Sequence, residues 1–499
     1  MKLNHIYKSI ACGVLLAMTA TSCDLDYNPV DTYSDVTEGV NKTDEKPIFN
    51  SVQDVETSMV TLHKKFRDRQ EHWYVDKLLI GDAHSDNAYA GTTGAEVVPY
   101  ETNSIEGSNS VLKRDWDRFL GDIAVANRII VGCDQLKALS ESERGKYQSQ
   151  AKIFRAMVMF DMVRLWGNFP VITTVGGDIT EDNVEEMYPT YFPPQNTAEE
   201  AYAQIEKDLT EAVENPNTPT NDTSDKSILT KSVARAMLAK VYAEKPLRDY
   251  AKVIKYADEL AADGFDLVED FSDLWAYDTE KKDCRVRNTK EAILEAHFPP
   301  GSGNWCTWMF GRNLSNWDES FTWAKWITPS RDLIRLYEEQ GDTKRYNESV
   351  VWYDCGWSNY YPADHYAFMY KCRSAFNSII YLRYADILLL KPDLNGAADI
   401  IDRIRNRAGL GKLPQSTRSS KEALLQAYMD ERRMELAFEG QRWYDLCRLN
   451  KVEEVMNAVY AKDSGRHAQE NLFNENSYLL AIPQGAIDQN ENLIQNPGY

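Results

Sequence analysis

Basic charge is in short supply in this 499-residue chain: Lys plus Arg number 56 against 77 Asp plus Glu, for a formal net charge of −21. Such a chain is repelled by phosphate backbones and by anionic lipid, so electrostatic routes to nucleic acid and to membrane adsorption are excluded. Long hydrophobic runs are missing as well. Beyond the first 22 residues no apolar stretch reaches the roughly 18 residues needed to cross a bilayer. The seven histidines (5, 63, 72, 84, 297, 365, 467) are scattered, and no H-E-x-x-H pair occurs. There is no G-x-S-x-G elbow and no EF-hand spacing. Gly301-Ser-Gly303 lacks the third glycine and the strand–helix setting of a nucleotide loop, so it reads as a turn. Six cysteines follow residue 23 (Cys133, Cys284, Cys306, Cys355, Cys372, Cys447) with no C-x-x-C among them, which gives no zinc or thioredoxin signal. Their spread is not that of a disulfide scaffold, although single bridges stay open in an exported protein. No cofactor is expected, and the acidic runs leave only a structural calcium ion open.

What is present is globular composition, 43% apolar and 27% charged, enough for about three core-sized units or one large helical body. The front reads as an export signal, residues 1–22: Lys2 and Lys8 precede the 11-residue apolar run Ile10 to Ala20, too short to span a membrane. Ala20-Thr21-Ser22-Cys23 resembles a bacterial lipobox, with Ala20 where Leu is usual, and makes Cys23 the lipidation site. Acyl chains on that cysteine anchor a protein stably. The alternative is plain cleavage at the A-x-S site, leaving a free thiol. Loss of the leader takes the charge to about −23. Residues 23–47 are polar and turn-rich, a tether between anchor and body.

Helical periodicity dominates residues 48–264. Val52, Val55, Met59, Leu62 and Phe66 form one stripe, and Trp116, Phe119, Ile123, Val125 and Ile129 another. A third runs from Ile153 to Val163 and stops at Gly167 and Pro170. Helices are expected over Ala198 to Val213, Lys231 to Glu244 and Tyr250 to Ala262, closed by Asn215-Pro216, Pro246 and Gly264. Small residues at the crossings (Ala234, Ala236, Ala239, Ala243) suit stacked antiparallel pairs of the tetratricopeptide type, though the strict repeat motif is absent. The region 265–499 differs. Up to about residue 380 its helices are short, and seven of the twelve tryptophans crowd between Trp305 and Trp357 with Tyr353, Tyr360, Tyr361, Tyr366 and Tyr370. Helix is expected to return over Ile379 to Leu390, Ala397 to Ala408 and Lys421 to Phe438.

The stretch Glu431-Arg-Arg-Met-Glu-Leu-Ala-Phe-Glu-Gly-Gln-Arg-Trp-Tyr-Asp-Leu-Cys-Arg448 resembles the signature helix of the SusD/RagB family, surface nutrient-binding lipoproteins of Bacteroidetes. Further family-like pieces follow the expected order: Ser22-Cys23-Asp-Leu-Asp26, Phe154-Arg-Ala156, Asp161-Met-Val-Arg-Leu-Trp-Gly-Asn-Phe-Pro170, Tyr381-Leu-Arg-Tyr-Ala-Asp386, Arg403-Ile-Arg-Asn-Arg-Ala-Gly409 and the terminus Gln495-Asn-Pro-Gly-Tyr499. One departure is Lys391-Pro392-Asp393, which interrupts a helix that is longer in the family. The resemblance implies a mainly α fold, one compact body in which a tetratricopeptide-like α-α superhelix carries irregular loop and small β insertions. It implies an outer-membrane, lipid-anchored protein facing the cell exterior. It also implies a partner, a SusC-like TonB-dependent transporter that the protein covers as a lid and to which it delivers ligand. Most members bind glycans; the RagB branch makes peptides the alternative.

Sugars present flat C–H faces that Trp and Tyr rings complement. Placed against the family's starch-binding member, Trp323 falls opposite a stacking Trp, and Trp305 and Tyr89 fall near aromatic contact positions. With Trp308 and Trp317 they are the candidate glycan-binding residues, core packing being the alternative for each. Asp86, Asn87, Asn304, Asn313, Asn316 and Asp318 are polar candidates of little weight, because loop Asp and Asn mostly make turns. A glycoside hydrolase needs two carboxylates about 5 to 10 Å apart across a cleft. Glu431, Glu435 and Glu439 share one helix face, but Arg432, Arg433 and Arg442 nearby make ion pairing the better explanation. A non-catalytic binding protein is therefore expected.

Overall fold

Capping chemistry sets where the long helices begin. Reciprocal capping boxes open three of them: Ser51 with Asp54 before α1 (Val52–Asp68), Ser140 with Glu143 before α3 (Glu141–Trp166), and Thr197 with Glu200 before α4 (Ala198–Glu214). Asn109 caps α2 (Ser110–Gln135), Thr230 caps α5 (Lys231–Ala243) and Asp249 caps α6 (Tyr250–Ala262). The computed structural model describes residues 47–499 apart from 92–93, 178, 180, 182, 279, 282, 299–303, 312–324, 374–377 and 391–393. The leader, Cys23, the tether and the Lys391–Asp393 interruption lie outside the described residues. Pro47–Tyr499 form one compact unit.

The protein is mostly helical, and its helices stack in antiparallel pairs. α3 packs between α2 and α4, and α5 between α4 and α6. Only one face of α1 is buried (Val55, Met59, Leu62, Phe66), as its stripe requires. α3 is buried nearly all round from Tyr147 to Trp166, which suits the central helix of a stack. Ala234, Ala236, Ala239 and Ala243 of α5 are fully buried, so the backbones approach closely there. Polar ties also cross the stack. Arg155 of α3 grips Asp208 of α4 through two hydrogen bonds of 2.8 and 2.7 Å and donates to Asn127 of α2 at 2.7 Å.

The remaining chain supplies small antiparallel pairs. β1 (Ala88–Ala90) pairs with β3 (Ile327–Pro329), and β2 (Ala292–His297) with β6 (Ser378–Arg383). β4 (Val350–Tyr353) pairs with β5 (Tyr366–Met369). The short helix α7 (Trp305–Met309) precedes β3, and α8 (Leu394–Arg407), α9 (Lys421–Glu435) and α10 (Arg442–Leu449) follow β6. The helix expected over Ile379 to Leu390 is corrected. Ser378–Arg383 is strand β6, and helix covers only Tyr384–Leu388. The β-branched Ile379 and Ile380 fit the pleat beside β2 better than a helix turn. Helix α9 also stops earlier than expected, because Phe438 and Gly440 take left-handed φ values of 61° and 69°. Gly440 is needed there: a Cβ would stand 2.8 Å from Lys77 Cγ and 2.9 Å from the Lys77 carbonyl oxygen.

Candidate functional site

Four segments meet around β1 and bring aromatic rings to the surface. The backbone N–H of Gly91 donates to the Trp326 carbonyl at 2.6 Å, and that of Trp326 to the Met309 carbonyl at 3.0 Å. Lys325 Nζ donates to the Trp308 carbonyl at 2.7 Å, so the end of α7 is fixed to the start of β3. The β4–β5 loop closes on the same place. Asn359 Nδ2 donates to the Gly91 carbonyl, and the Tyr360 hydroxyl oxygen lies 2.6 Å from the Ala90 carbonyl oxygen. Trp305, Trp326, Trp352, Trp357 and Tyr360 are half-buried, while Trp308 is 37% and Tyr353 48% exposed. These rings are held rather than loose. Trp352 stacks on His365 with centroids 4.2 Å apart and planes 5° from parallel, and its indole N–H donates to the Tyr346 hydroxyl at 2.6 Å. Trp357 packs edge-on against Tyr366 at 5.7 Å. Rings so fixed lose little freedom when a flat apolar face settles on them.

Tyr89, expected as a ligand contact, is instead fully buried, at 0% exposed. Its hydroxyl donates to Asp463 Oδ2 at 2.7 Å and accepts from the Arg331 backbone N–H at 2.9 Å. Its ring stacks on Tyr360 at 4.5 Å. Burial, with Asp463 close by, raises its hydroxyl pKa. The strand alternation that a three-residue segment hardly displays turns this ring inward, where it supports the rim from beneath. Of the other candidates, Trp305 and Trp308 are on the rim, both on α7; Trp317 and Trp323 lie outside the described residues. Sequence reasoning did not single out Trp326, Trp352, Tyr353, Trp357 and Tyr360 as contacts. The signal was the aromatic crowding itself, which marks the segment but not which rings remain in water.

The polar candidates Asp86 and Asn87 belong to the interior. Asp86 takes two hydrogen bonds from Arg442, of 2.7 and 2.9 Å, and lies 3.2 Å from Arg433. Burial alone would raise its carboxyl pKa, but Arg433 and Arg442 outweigh it and hold the group well below the usual range. Asn87 accepts from Arg433 at 3.0 Å and donates to Asp82 at 2.8 Å. Asn304 caps α7 by accepting from the Cys306 N–H. Asn313, Asn316 and Asp318 lie outside the described residues.

Ion pairing does account for the acidic face of α9, through partners from other segments. Glu431 takes a 2.7 Å hydrogen bond from Arg345. Glu435 takes one of 2.6 Å from Arg383, one of 3.1 Å from Arg345 and another from Arg407. Glu439 is held by Lys371 at 2.6 Å and Arg383 at 2.7 Å. Burial would raise Glu435, yet Arg407, Arg383 and Arg345 hold it well below the ordinary carboxylate range. Ion pairing of this kind ties the three carboxylates into the body of the protein. Arg432 pairs with Asp386 at 2.8 Å and Asp445 at 2.7 Å, and Arg433 with Asp332 at 2.9 Å. Among the described residues no group of three or more His, Cys, Asp or Glu side chains is placed to hold a metal ion.

Two family models match the chain, SusD family over residues 373–499 and "Starch-binding associating with outer membrane" over residues 33–243, together about two thirds of its length. The chain belongs to the SusD family. A SusD-like protein, P2, from Formosa agariphila is 23% identical over 97% of this chain and 98% of its own length. Among solved structures, surface glycan-binding protein A from Bacteroides fluxus superposes with a TM-score of 0.71 at 21% identity, covering 90% of this chain and 100% of that one. Surface glycan-binding protein A from Bacteroides thetaiotaomicron, solved in complex with laminarihexaose, gives 0.69 at 17% identity, covering 89% and 99%. The helical-pair fold is thus that of SusD-like proteins.

Proposed function

We propose that this SusD-family protein is a non-catalytic, outer-membrane lipoprotein that captures oligo- or polysaccharide on its aromatic rim and passes it to a SusC-like TonB-dependent transporter. The observation that carries this reading is the set of fixed, half-exposed rings of Trp305, Trp308, Trp326, Trp352, Tyr353 and Trp357. Such rings offer apolar faces to sugar C–H groups while their polar edges stay in water. The laminarihexaose complex of a fold relative is consistent with a glycan as the ligand. Trp317 and Trp323 are proposed as further contacts, and Cys23 as the lipid-bearing residue facing the cell exterior. The interior pairing of Glu431, Glu435 and Glu439 supports capture over hydrolysis.

Isothermal titration of the soluble body with laminarin, starch, xylan and pectin oligosaccharides, alongside casein peptides, tests the reading. Saturable binding to at least one glycan, weakened about tenfold or more by Trp308→Ala, is the expected result. Binding to peptides alone would replace the glycan with a peptide ligand. Release of reducing sugar by the purified protein would overturn the non-catalytic part. Mass spectrometry of the mature protein should find Cys23 acylated.

A further inference from the structure

Cys306 of α7 and the capping residue Asn304 also line a partly open cavity of about 70 Å³. Its walls include the rings of Trp73, Tyr74, Trp275, Tyr381 and Phe438, and two lysines and the carboxylate-bearing Glu439 reach it. Lys371 is matched: its ammonium donates to Glu439 Oε1 at 2.6 Å and to the Glu435 carbonyl at 3.1 Å. Lys77 is not. Its Nζ stands 3.7 Å from the centroid of the Tyr381 ring and, among the described residues, has no hydrogen bond and no ion pair. The carboxylates that act on it from a distance are engaged elsewhere: Asp161 with Arg164, and Asp386 with Lys240 and, at 2.8 Å, with Arg432.

A lone ammonium walled by rings is a poor way to fill space. In a chain with 77 acidic side chains, a partner was available, and an apolar residue of the same length would avoid the desolvation cost. Lys77 is half-buried, and that burial draws its amine down to about 7 against the raising effect of the more distant Asp161 and Asp386. The Tyr381 ring holds it in place by cation–π attraction, and the Tyr381 hydroxyl is itself tied to Asp161 Oδ2 at 3.1 Å. One water needs about 10–15 Å³ of such space, so the cavity admits several water-sized groups, the bulk of a carboxylate or sulfate with the carbon that bears it.

We propose that this cavity is an anion-binding pocket, in which Lys77 receives the carboxylate or sulfate of a ligand and the rings of Trp275 and Tyr381 flank the carbon that carries it. The pocket does not depend on the glycan reading, since a free organic acid and the acidic sugar of a glycan present the same group. The test uses the mature full-length chain with Lys77→Met and the charge-conserving Lys77→Arg. D-Glucuronate, D-glucose, sodium sulfate, tetragalacturonate and carboxyl-reduced tetragalacturonate are titrated calorimetrically. Carbamylation of Lys77 by cyanate is followed by peptide mass spectrometry.

The expected result is binding of glucuronate or sulfate but not glucose, weakened at least tenfold in Lys77→Met and retained in Lys77→Arg, with Lys77 protected from cyanate by the bound acid. Lys77-dependent preference for tetragalacturonate over its reduced form assigns the anion to a glycan. Response to the free acids alone assigns it to a small metabolite and leaves the glycan reading to its own test. Equal binding of charged and reduced tetragalacturonate, unmoved in Lys77→Met, overturns the pocket while upholding glycan binding. Absence of any Lys77-dependent response or protection overturns it too. Should Lys77→Met fail to fold, Lys77→Arg and the cyanate protection decide alone.

Discussion

Two regions of this protein treat their most expensive side chains in opposite ways. Around α9 and α10, guanidinium and carboxylate groups are buried and satisfied several times over: Arg383 alone binds Glu291, Glu435 and Glu439. On the rim formed by α7, β4 and the β4–β5 loop, large rings are left half in water. The first region joins segments remote in sequence, since Asp86 from the loop before β1 meets Arg442 of α10. Its carboxylates are each taken up by guanidinium or ammonium groups of the protein. The second contributes ring faces while its own hydrogen bonds run through backbone and ring edges. If the rim is the ligand face, as proposed, folding specificity and ligand contact lie in different residues, and rim residues should change without loosening the body.

The sharpest way to break this comparison is to cut the ionic region. Arg383→Met leaves Glu291 and Glu435 short of a partner inside the protein. Removing one member of a buried pair costs about 3–5 kcal/mol, and chemical denaturation should show a loss of that order. A loss below about 1 kcal/mol would mean that Arg407, Arg345 and Lys371 can redistribute, and that the region is less specific than it looks.

Second in size is Gly440→Ala. The residue sits at φ 69°, and its new Cβ would press on the Lys77 carbonyl oxygen at 2.9 Å. A cost of about 1–3 kcal/mol is expected from the left-handed backbone and the contact together. The measurement is the denaturation midpoint at constant slope.

These two variants also show what was readable beforehand. The helices over 198–262 were legible almost to the residue, because apolar spacing, caps and the Asn215-Pro216 stop all agree. The α9 motif was legible as ion-paired, but not its partners: Arg345, Arg383 and Arg407 are 28 to 90 residues from Glu435 and carry no local mark. β6 was misread because Ile379 to Leu390 is apolar but for Arg383 and Asp386, and a short apolar run looks alike as strand or helix. The rim was half legible. Tryptophan crowding located it, whereas the inward turn of Tyr89 depends on its pairing with Thr328 across β1 and β3, which no local pattern reveals.

A smaller effect comes from the edge where the two kinds of region meet. Glu101 accepts from the backbone N–H groups of Ala90 at 2.7 Å and His467 at 3.0 Å, and from the Tyr360 hydroxyl at 2.5 Å, while its Oε2 lies 3.0 Å from His467 Nδ1. The hydrogen bond to Glu101 raises the His467 imidazole above its ordinary value, against the opposing effect of burial. The folded protein therefore holds that proton more tightly than the unfolded chain. The resulting stabilisation is complete below the unfolded value of about 6.5 and disappears as pH rises through the folded one. The difference in melting temperature between the parent and His467→Gln should be widest below pH 6 and shrink above pH 7. A difference independent of pH would show that the imidazole acts by packing alone.

The smallest folding effect is expected at the rim, and there the comparison is tested most directly. Trp308 is 37% exposed, and its carbonyl, which Trp308→Ala retains, is the group that accepts from Lys325. Exposed sites of this kind usually move stability by no more than about 0.5 kcal/mol. Trp308→Ala should therefore melt like the parent yet lose glycan affinity, and Tyr353→Ala, at 48% exposed, should do the same. If either variant instead lost several kcal/mol of stability, its ring would be serving the body, and the division between a locked interior and an open rim would fail at that residue. Stability held and affinity lost is the one combination that packing cannot produce, which makes the paired measurement more informative than either alone.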